Sequence, residues 1–296
     1  MAYCYERKTD RKGNIYIEIT GYEGSIRHLV IPAMMENIPV RSIGKYAFSG
    51  REDLCSLTLP ETIDTLGRQA FYNCKNLTTL SLFDSVEDYY DGVIKQCGNL
   101  HAITLHQKRN SFSVMKELLA DNDRMLRFCV EPIGLHLTFP AYVYDFVEDV
   151  EARVLHHKIE GSGYPYRECV TRKGVDLLMY DKLFSHVISD DYEAAIMVAL
   201  NRLRYPIELE DAAKEQYAQY LEQNARVVLL KLIEQECDEE IRYLCEECLI
   251  TKDALEDGLY EAADKKLSAI TAILMEYQRQ HFSVNQQAIK MTLDDW

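Results

Sequence analysis

The sequence predicts an α/β solenoid followed by an all-α helical array. The first observation is a repeated phrase, because residues 43–48 return in closely similar form as residues 66–71. The second is a fixed spacing: Leu54, Leu77 and Leu100 are each 23 positions apart. A period of about 20 to 50 residues is typical of stacked repeats. The third is the last part of the chain, where apolar residues recur at helical spacing.

Each repeat contains a Leu-x-x-Leu-x-Leu segment, a spacing within the range of leucine-rich repeats. Its alternating half predicts a short strand with leucines pointing inward and small polar side chains pointing outward. Stacked strands would form a parallel sheet, and the return half of each repeat, with Ala70 and Phe71, would cover its inner side. The predicted outward residues are Ser56, Thr58, Thr79, Ser81, Ala102 and Thr104.

Both ends of the stack have recognisable residues. The alternating segment 14–19 predicts a strand that caps the open edge at the front. Leu126 and Phe128 fall 23 residues after Ile103 and Leu105, which extends the stack by one coil. We therefore predict that residues 1–130 form the leucine-rich-repeat solenoid with its N-terminal cap.

The segment from Ile31 to Leu105 resembles the bacterial leucine-rich repeats of the BspA type. The pairs that carry the resemblance are Leu59-Pro60, Leu66-Gly67, Ala70-Phe71 and Asn73-Cys74, followed by Leu77. The resemblance implies a curved right-handed solenoid that binds proteins or surfaces.

Residues 131–184 predict a connector packed on the end of the solenoid. Residues 142–155 have apolar positions at roughly helical spacing, and the Gly and Pro of residues 161–169 predict a loop. Tyr166 and Arg167 in this loop belong to the residue types enriched in binding hot spots. They are accordingly candidate contacts for a partner.

Residues 185–296 predict an acidic helical domain, since they contain 11 Lys and Arg against 23 Asp and Glu. Short amphipathic segments predict ankyrin-like or HEAT-like helix pairs. The stretch from Leu259 to Met275 resembles the helix pair of an ankyrin repeat, although the usual Thr-Pro-Leu-His opening is absent.

Charge and cysteine content limit the classes of partner and compartment. The net charge of −15 and the lack of a basic patch argue against nucleic acid. No apolar run is long enough for a membrane helix, and no apolar segment follows the first residues as in a secretory signal. Nine cysteines without such a signal predict reduced thiols and a cytoplasmic protein.

No constellation has the spacing that catalysis or metal binding requires. Cys245 and Cys248, with Cys237 upstream, lie in a helical pattern without a second ligand pair. Adjacent His156 and His157 diverge on a helix. Ser162 lies in neither a phosphate loop nor a nucleophile elbow. We therefore predict no catalytic residue, no metal, no cofactor and no small-molecule substrate.

The predicted function is a non-catalytic scaffold for protein–protein interaction through the concave face of the solenoid. The candidate contacts are Ser56, Thr58, Thr79, Ser81, Ala102, Thr104, Arg127, Tyr166 and Arg167, with His101 and His106 beside them. Two alternatives stay open. One is a secreted or surface adhesin that binds a host, and the other is an enzyme or enzyme subunit. The enzyme site would lie at the inter-domain junction, near Tyr166, Arg167, Cys169 and Asp181.

Overall fold

Strands form where hydrophobic residues alternate, and helices form where they recur every three or four residues. The computed structural model describes residues 2–149 and 154–282. Within these ranges the strands are β1 (Ala2–Thr9), β2 (Ile15–Glu23), β3 (His28–Val30), β4 (Met34–Met35), β5 (Ile38–Ile43), β6 (Ser56–Thr58), β7 (Thr65–Leu66), β8 (Thr79–Phe83), β9 (Asp88–Tyr89), β10 (Ala102–His106), β11 (Leu126–Glu131), β12 (Leu135–Phe139), β13 (Val143–Asp149) and β14 (Val154–Glu160). The helices are α1 (Ser113–Asp121), α2 (Gly163–Glu168), α3 (Leu177–Lys182), α4 (Phe184–Asp190), α5 (Tyr192–Arg204), α6 (Asp211–Gln223), α7 (Ala225–Glu234), α8 (Asp238–Glu246), α9 (Lys252–Asp264) and α10 (Ser268–His281).

These elements divide between two compact units, Met1–Leu209 and Glu210–Trp296. The strands given above and α1 to α5 belong to the first unit, and α6 to α10 belong to the second. Helix α5 packs against β12, so the first long helix after position 184 is part of the first unit. The domain boundaries at 130 and 184 stay predictions.

Two sheets build the solenoid. Sheet 1 has the strand order β1-β2-β5-β7-β9, with β4 paired to β5. Sheet 2 has the order β12-β11-β10-β8-β6-β3. Strands β3, β6, β8, β10 and β11 run parallel, and β12 closes the end of sheet 2 as an antiparallel strand. The predicted parallel stack of Leu-x-Leu strands is therefore confirmed as sheet 2.

The interior of the solenoid consists of aligned rows of apolar side chains. Leu57, Leu80, Ile103 and Phe128 face each other in register and are almost completely buried. In the return halves, the Phe48 and Phe71 rings stack with centroids 5.3 Å apart. The matching thiols Cys74 and Cys97 are fully buried and donate to the Phe48 and Phe71 carbonyl oxygens, at 3.2 and 3.1 Å. Both cysteines are packing residues, as small hydrophobic thiols usually are.

Position 67 requires glycine because the backbones of two successive coils are in contact there. A Cβ atom on Gly67 would lie 2.7 Å from the Ile43 oxygen and 2.7 Å from the Lys45 nitrogen. The Gly67 N–H donates to that same Ile43 oxygen at 2.8 Å. The sequence predicts a turn glycine chosen for its freedom in φ, whereas the structure shows that close backbone approach excludes a side chain.

The last parallel strand pairs two residues further along than the repeat predicts. Ile103 lies opposite Phe128 and not opposite Leu126, so the offset from β10 to β11 is 25 residues. The offset between β8 and β10 is 23. The return half of this last coil is the nine-residue helix α1 in place of the turns that earlier coils use. Because a helix advances only about 1.5 Å per residue, it needs more chain to cross the same width.

The predicted helix over residues 142–155 is wrong. Residues of this segment instead form the antiparallel hairpin β13–β14, in which Val143 lies opposite Glu160 and Asp149 opposite Val154. The pair His156-His157 therefore lies on a strand and not near a helix end. Residues 150–153 lie outside the described residues, as do the side chains of both histidines. Aromatic and β-branched residues in this segment favour a strand over a helix.

The predicted loop over residues 161–169 is also wrong, since it contains the short helix α2. Pro165 lies in the first turn of α2, where a missing N–H costs no helical hydrogen bond. Gly163 begins the helix against the chain at Pro140, and a Cβ atom there would lie 2.2 Å from the Pro140 oxygen.

The second unit is built from paired helices. Helix α7 packs on α8 and α9, and α9 packs on α10. Buried positions recur 30 residues apart in the two pairs: Val228 matches Gly258, and Leu244 matches Leu274. A Cβ atom on Gly258 would lie 2.5 Å from Leu229 Cδ2, so the two helices are in close contact at this glycine. The described part of this unit thus agrees with the predicted all-helical array.

Candidate functional site

The outer side of sheet 2 carries the side chains that the repeat pattern placed there. We name as the Ser/Thr face the outward residues of β6, β8 and β10. In one row Ser56 lies opposite Thr79, and Thr79 opposite Ala102; in the next, Thr58 lies opposite Ser81, and Ser81 opposite Thr104. Since neighbouring strands lie about 4.8 Å apart, each row presents small side chains at that interval. The members of the Ser/Thr face are Ser56, Thr58, Thr79, Ser81, Ala102 and Thr104.

Solvent reaches the whole Ser/Thr face. Thr58 and Thr79 are exposed, and the other four residues are partly exposed. The hydroxyls of Thr58, Thr79 and Thr104 have no hydrogen-bond partner within the described part of the chain. A hydroxyl both donates and accepts, so these three groups can each satisfy either kind of polar group on a ligand.

Two histidines next to the Ser/Thr face each contact one of its serines. At the β3 side, His28 Nδ1 lies 2.8 Å from Ser56 Oγ. His106 lies on β10, two residues after Thr104, and its Nε2 lies 3.0 Å from Ser81 Oγ. The serine hydroxyls are thus held in hydrogen bonds, whereas the threonine hydroxyls are available.

His106 also contacts a carboxylate, which makes its environment unlike that of His28. His106 Nδ1 lies 3.0 Å from Glu131 Oε2. Phe83 packs on the His106 imidazole with ring centroids 4.9 Å apart. Ser81, His106 and Glu131 therefore form a chain of polar contacts across the adjacent strands β8, β10 and β11: a hydrogen bond from Ser81 to His106, and an ion-pair distance from His106 to Glu131. The sequence placed His106 beside the face, but it did not identify Glu131.

A thiol and an imidazole meet further along sheet 2. Cys129 Sγ lies 3.4 Å from His136 Nε2, and the Tyr205 ring stacks on His136 with centroids 3.6 Å apart. Burial raises the pKa of the Cys129 thiol, and the negative charge of Glu131 adds to this. Burial lowers the pKa of His136, helped by the Arg204 cation. Both shifts favour the neutral forms, so this pair is a neutral packing contact and not an activated thiolate.

Arg127 lies at the end of one row of the Ser/Thr face. It is opposite Ala102 in the register and is partly exposed. No carboxylate of the described residues forms an ion pair with it. Its place among the candidate contacts stays a prediction, now with a defined position in the sheet.

Tyr166 and Arg167 are interior residues, and the prediction that they contact a partner is corrected. Tyr166 is 0% exposed and Arg167 is 6% exposed. Within the described residues, the Arg167 guanidinium donates only to backbone carbonyl oxygens, and its Cζ lies 4.7 Å from the Tyr142 ring centroid. Burial lowers the pKa of Arg167 to about 10. The carbonyl acceptors belong to Leu119, Asn122, Arg124, Pro140 and Gly163.

Arg167 thus joins the C-terminal end of α1, the chain after β12 and the start of α2. A cation near the end of a helix is favourable, because the last carbonyls there lack intrahelical partners. Tyr and Arg are abundant both in binding hot spots and in such buried networks, so residue type alone could not separate the two roles.

The other residues of the proposed junction site are also buried. Cys169 is 3% and Asp181 5% exposed. Burial raises the pKa of the Cys169 thiol to about 12. The Asp181 carboxylate accepts from Arg202 Nε at 2.7 Å and from Arg202 Nη2 at 2.9 Å. The four residues of the proposed junction site are therefore packed in the interior, and none of them is a nucleophile that a substrate in solvent could reach.

Cys245 and Cys248 are separated by the end of helix α8. Cys245 is buried in the helix, and burial raises the pKa of its thiol to about 11. Cys248 is exposed and lies beyond the helix end, with a φ of 57°. Among the described residues, no group of three or more His, Cys, Asp or Glu side chains is placed to hold a metal ion.

Comparison with known proteins places the repeat region in a family. The family model for a BspA-type leucine-rich repeat region of six copies matches residues 22–116. No curated protein matches the chain. Within residues 2–149 and 154–282, no helix has the combined length and apolarity that a membrane crossing requires.

Solved structures with partial similarity are also leucine-rich repeat proteins. One from Bacteroides ovatus is 21% identical, with 36% of this chain and 30% of that protein aligned and a TM-score of 0.28. One from T. pallidum is 18% identical, with 34% and 68% aligned and a TM-score of 0.24. A leucine-rich cell surface protein from Faecalibacterium prausnitzii is 19% identical, with 36% and 45% aligned and a TM-score of 0.25. This chain thus spans less than half the length of the first and third of these proteins.

The family match spans β3 to β10 and ends within α1, while β1, most of β2, β11 and β12 of the two sheets lie outside it. Residues 22–116 of this chain form a leucine-rich repeat region of the BspA type.

Proposed function

We propose that the Ser/Thr face binds a protein partner and that the chain acts as an interaction scaffold. The observation that carries the proposal is the pair of rows of small polar side chains, in register across β6, β8 and β10. Repeat proteins bind through broad surfaces of this kind. Small side chains suit such a surface because they let the partner approach the sheet closely.

The free hydroxyls define the chemistry of the partner at the centre of the face. Thr58, Thr79 and Thr104 lie on three neighbouring strands and present donors and acceptors without a partner among the described residues. A partner segment with its own polar groups gains up to three hydrogen bonds there. Each is worth about 0.5–1.5 kcal/mol net.

Arg127 defines the chemistry at the side of the face. Its guanidinium has no ion-pair partner within the described residues, and Ala102 beside it leaves space above the sheet. A carboxylate of the partner is the natural acceptor for this cation, since a guanidinium can bind a carboxylate through two parallel hydrogen bonds. The proposed partner therefore presents polar groups with an acidic residue at one end.

The test begins with affinity purification of the partner from native lysate on the full-length chain. The partner is then purified, and its dissociation constant is measured by calorimetry. Thr79→Arg places a long cation at the centre of the face and should weaken binding at least tenfold. Thr79→Val removes only the hydroxyl and should weaken binding by about 2- to 13-fold, which corresponds to one hydrogen bond.

Ser185→Arg on the exposed side of α4 is the matched control, because it adds the same charge away from sheet 2. Binding by this variant should equal that of the unaltered chain. Equal binding by Thr79→Arg would contradict the proposal, and so would equal losses in Thr79→Arg and Ser185→Arg. Arg127→Ala should weaken binding more at low than at high salt, because exposed ion pairs are screened.

We also propose that the protein works in a reducing, cytoplasmic compartment. The basis is the nine cysteines of the sequence, of which Cys74, Cys97 and Cys169 are buried packing residues. Thiol titration of freshly extracted, denatured protein should count nine free thiols. Fewer thiols would favour the alternative of an exported adhesin, since disulfides persist in oxidising compartments.

A further inference from the structure

The Ser/Thr face contains one serine whose surroundings differ from those of its neighbours. Ser81 Oγ lies 3.0 Å from His106 Nε2, and His106 Nδ1 lies 3.0 Å from Glu131 Oε2. We propose that Ser81 is a nucleophile for acyl transfer, with His106 as its general base and Glu131 as the group that positions His106. The acyl donor would be a carboxylic ester. This proposal does not rest on the protein partner proposed above, and it departs from the sequence-level prediction that no residue is catalytic.

The carboxylate decides which nitrogen of His106 carries the proton. A carboxylate oxygen 3.0 Å from Nδ1 repels a lone pair on that nitrogen, so it favours the neutral imidazole that carries its hydrogen on Nδ1. Nε2 is then the acceptor and receives the hydrogen bond from the Ser81 hydroxyl. This tautomer is the one that a general base requires, since the free lone pair of the imidazole points at the nucleophile.

The imidazole is also held in place. Its side chain is 29% exposed, and the Phe83 ring packs on it with a centroid distance of 4.9 Å. Ser81 and Phe83 share β8 and, two residues apart, point to the same side of the sheet. Phe83 therefore offers an apolar surface close to the nucleophile.

Two hydroxyls flank Ser81 where negative charge would develop. Thr58 lies opposite Ser81 on one neighbouring strand, and Thr104 lies opposite it on the other. Neither hydroxyl has a hydrogen-bond partner within the described residues, so each can donate to an oxyanion above Ser81. Side-chain hydroxyls act as oxyanion donors in several enzymes. Nucleophile, base, positioning acid and oxyanion donors thus occupy one open patch of the sheet.

The proposed reaction balances without an oxidant or a metal. Ser81 Oγ forms a bond to the ester carbonyl carbon while its proton moves to His106 Nε2. The bond from that carbon to the leaving alkoxide breaks, and the alkoxide takes the proton from His106. Water then attacks the acyl carbon and gives a proton to His106. The Ser81 Oγ–carbon bond breaks last, and Oγ regains its proton as the acid is released.

The chain contains an internal comparison, because Ser56 also contacts a histidine. His28 Nδ1 lies 2.8 Å from Ser56 Oγ, yet among the described residues no carboxylate forms an ion-pair contact with His28 such as Glu131 forms with His106. Nothing in that pair therefore directs the proton to the far nitrogen. Ser56 should remain unreactive under conditions in which Ser81 reacts.

The test uses the intact chain and two probes: a biotinylated fluorophosphonate and 4-nitrophenyl acetate. Peptide mass spectrometry should locate the fluorophosphonate on Ser81 and not on Ser56. Ser81→Ala and His106→Gln should each lower hydrolysis of 4-nitrophenyl acetate about tenfold or more, as removal of a nucleophile or general base does. Glu131→Gln should lower it less, since an amide oxygen beside Nδ1 keeps a partial negative charge there.

Ser185→Ala on α4 is the control and should leave both labelling and hydrolysis unchanged. Circular dichroism of each variant shows whether its fold is retained; these side chains are partly or fully exposed, so we expect folded variants. Label on Ser81 that disappears in His106→Gln supports the proposal. No label, equal label on Ser56 and Ser81, or label on Ser81 that survives His106→Gln would overturn it.

Discussion

Asp181 and Arg202 form a buried ion pair in the first unit. Their side chains are 5% and 0% exposed, and two parallel hydrogen bonds of 2.7 and 2.9 Å join them. Arg202 Nη1 also donates to the Ile207 oxygen at 3.1 Å. The ion pair connects α3 to α5. The hydrogen bond from Arg202 to Ile207 connects α5 to the chain that follows it. The ion pair therefore helps to hold α5 in the position where that helix covers β12.

Removal of one partner from this pair should be strongly destabilising. In Asp181→Ala the Arg202 cation stays buried without its carboxylate, which costs about 3–5 kcal/mol. The double variant Asp181→Leu with Arg202→Met removes both charges and should recover part of that loss. The chain has two compact units and need not unfold in one transition, so a single free energy of unfolding would not describe it. Hydrogen exchange at α3 and α5 measures the stability of this region directly. Equal protection in Asp181→Ala and the unaltered chain would refute this account.

Two tyrosines in contact should respond in opposite ways to loss of their hydroxyls. The Tyr166 and Tyr180 rings meet edge to face, with centroids 4.7 Å apart, and both are fully buried. The Tyr166 hydroxyl has no partner among the described residues, whereas the Tyr180 hydroxyl donates to the Thr138 oxygen and accepts from the Thr138 N–H at 3.0 Å. Tyr166→Phe should stabilise the first unit by about 1 kcal/mol, because an unsatisfied buried hydroxyl is lost.

Tyr180→Phe is the matched variant and should cost about 1–3 kcal/mol, because it leaves a buried N–H and carbonyl of Thr138 unsatisfied. Urea denaturation followed by circular dichroism compares the two variants with the unaltered chain. A loss of stability in Tyr166→Phe as large as that in Tyr180→Phe would show that the Tyr166 hydroxyl has a bound partner, such as a buried water.

The strands of the solenoid were predictable from local pattern, whereas contacts between distant residues were not. Alternation in Leu57 and Leu80 predicts which residues of β6 and β8 face outward, and the structure agrees. The contact of His106 with Glu131 depends on the 25-residue offset of β11, which α1 sets. Since the sequence period predicts an offset of 23, it places Glu131 two residues out of register.

Residues with two competing patterns were harder to predict. In segment 143–149, apolar residues fit both a helical and an alternating spacing, and the partner strand β14 decides in favour of a strand. In α7, Val228, Leu229, Leu232 and Ile233 are fully buried, whereas the equally apolar Val227 is exposed. Packing against α9 determines which side of α7 is buried. The local sequence of α7 does not show where α9 packs, so it could not predict the buried side.

Gly67→Ala should destabilise the first unit. The new Cβ would lie 2.7 Å from two backbone atoms of the preceding coil, which cannot move as a side chain can. The coils must separate locally, at a cost of about 1–3 kcal/mol. Gly98→Ala is the control, because Gly98 has nothing within 4 Å of a Cβ position. It should gain about 0.4–1 kcal/mol through reduced freedom of the unfolded chain.

Urea denaturation with detection by circular dichroism measures both glycine variants. The result that would contradict the close-approach explanation is equal stability of Gly67→Ala and Gly98→Ala. In that case Gly67 would be only a turn residue, as the sequence alone predicts.

Two adjacent lysines between α9 and α10 should respond oppositely to glycine. Lys266 has a φ of 59°, and its N–H bonds the Ala263 oxygen while the Leu267 N–H bonds the Ala262 oxygen, the pattern of a helix end that favours glycine. Lys265 has a φ of −76°, where glycine brings no relief.

Lys266→Gly should therefore stabilise the second unit by about 0.5–1 kcal/mol, because a side chain in the left-handed region is strained. Lys265→Gly should destabilise it by about 1 kcal/mol, since glycine adds freedom to the unfolded chain and the exposed ion pair to Glu261 contributes little. Hydrogen exchange at α9 and α10 reports both changes in the same unit, and equal effects of the two substitutions would rule out the backbone conformation as their cause.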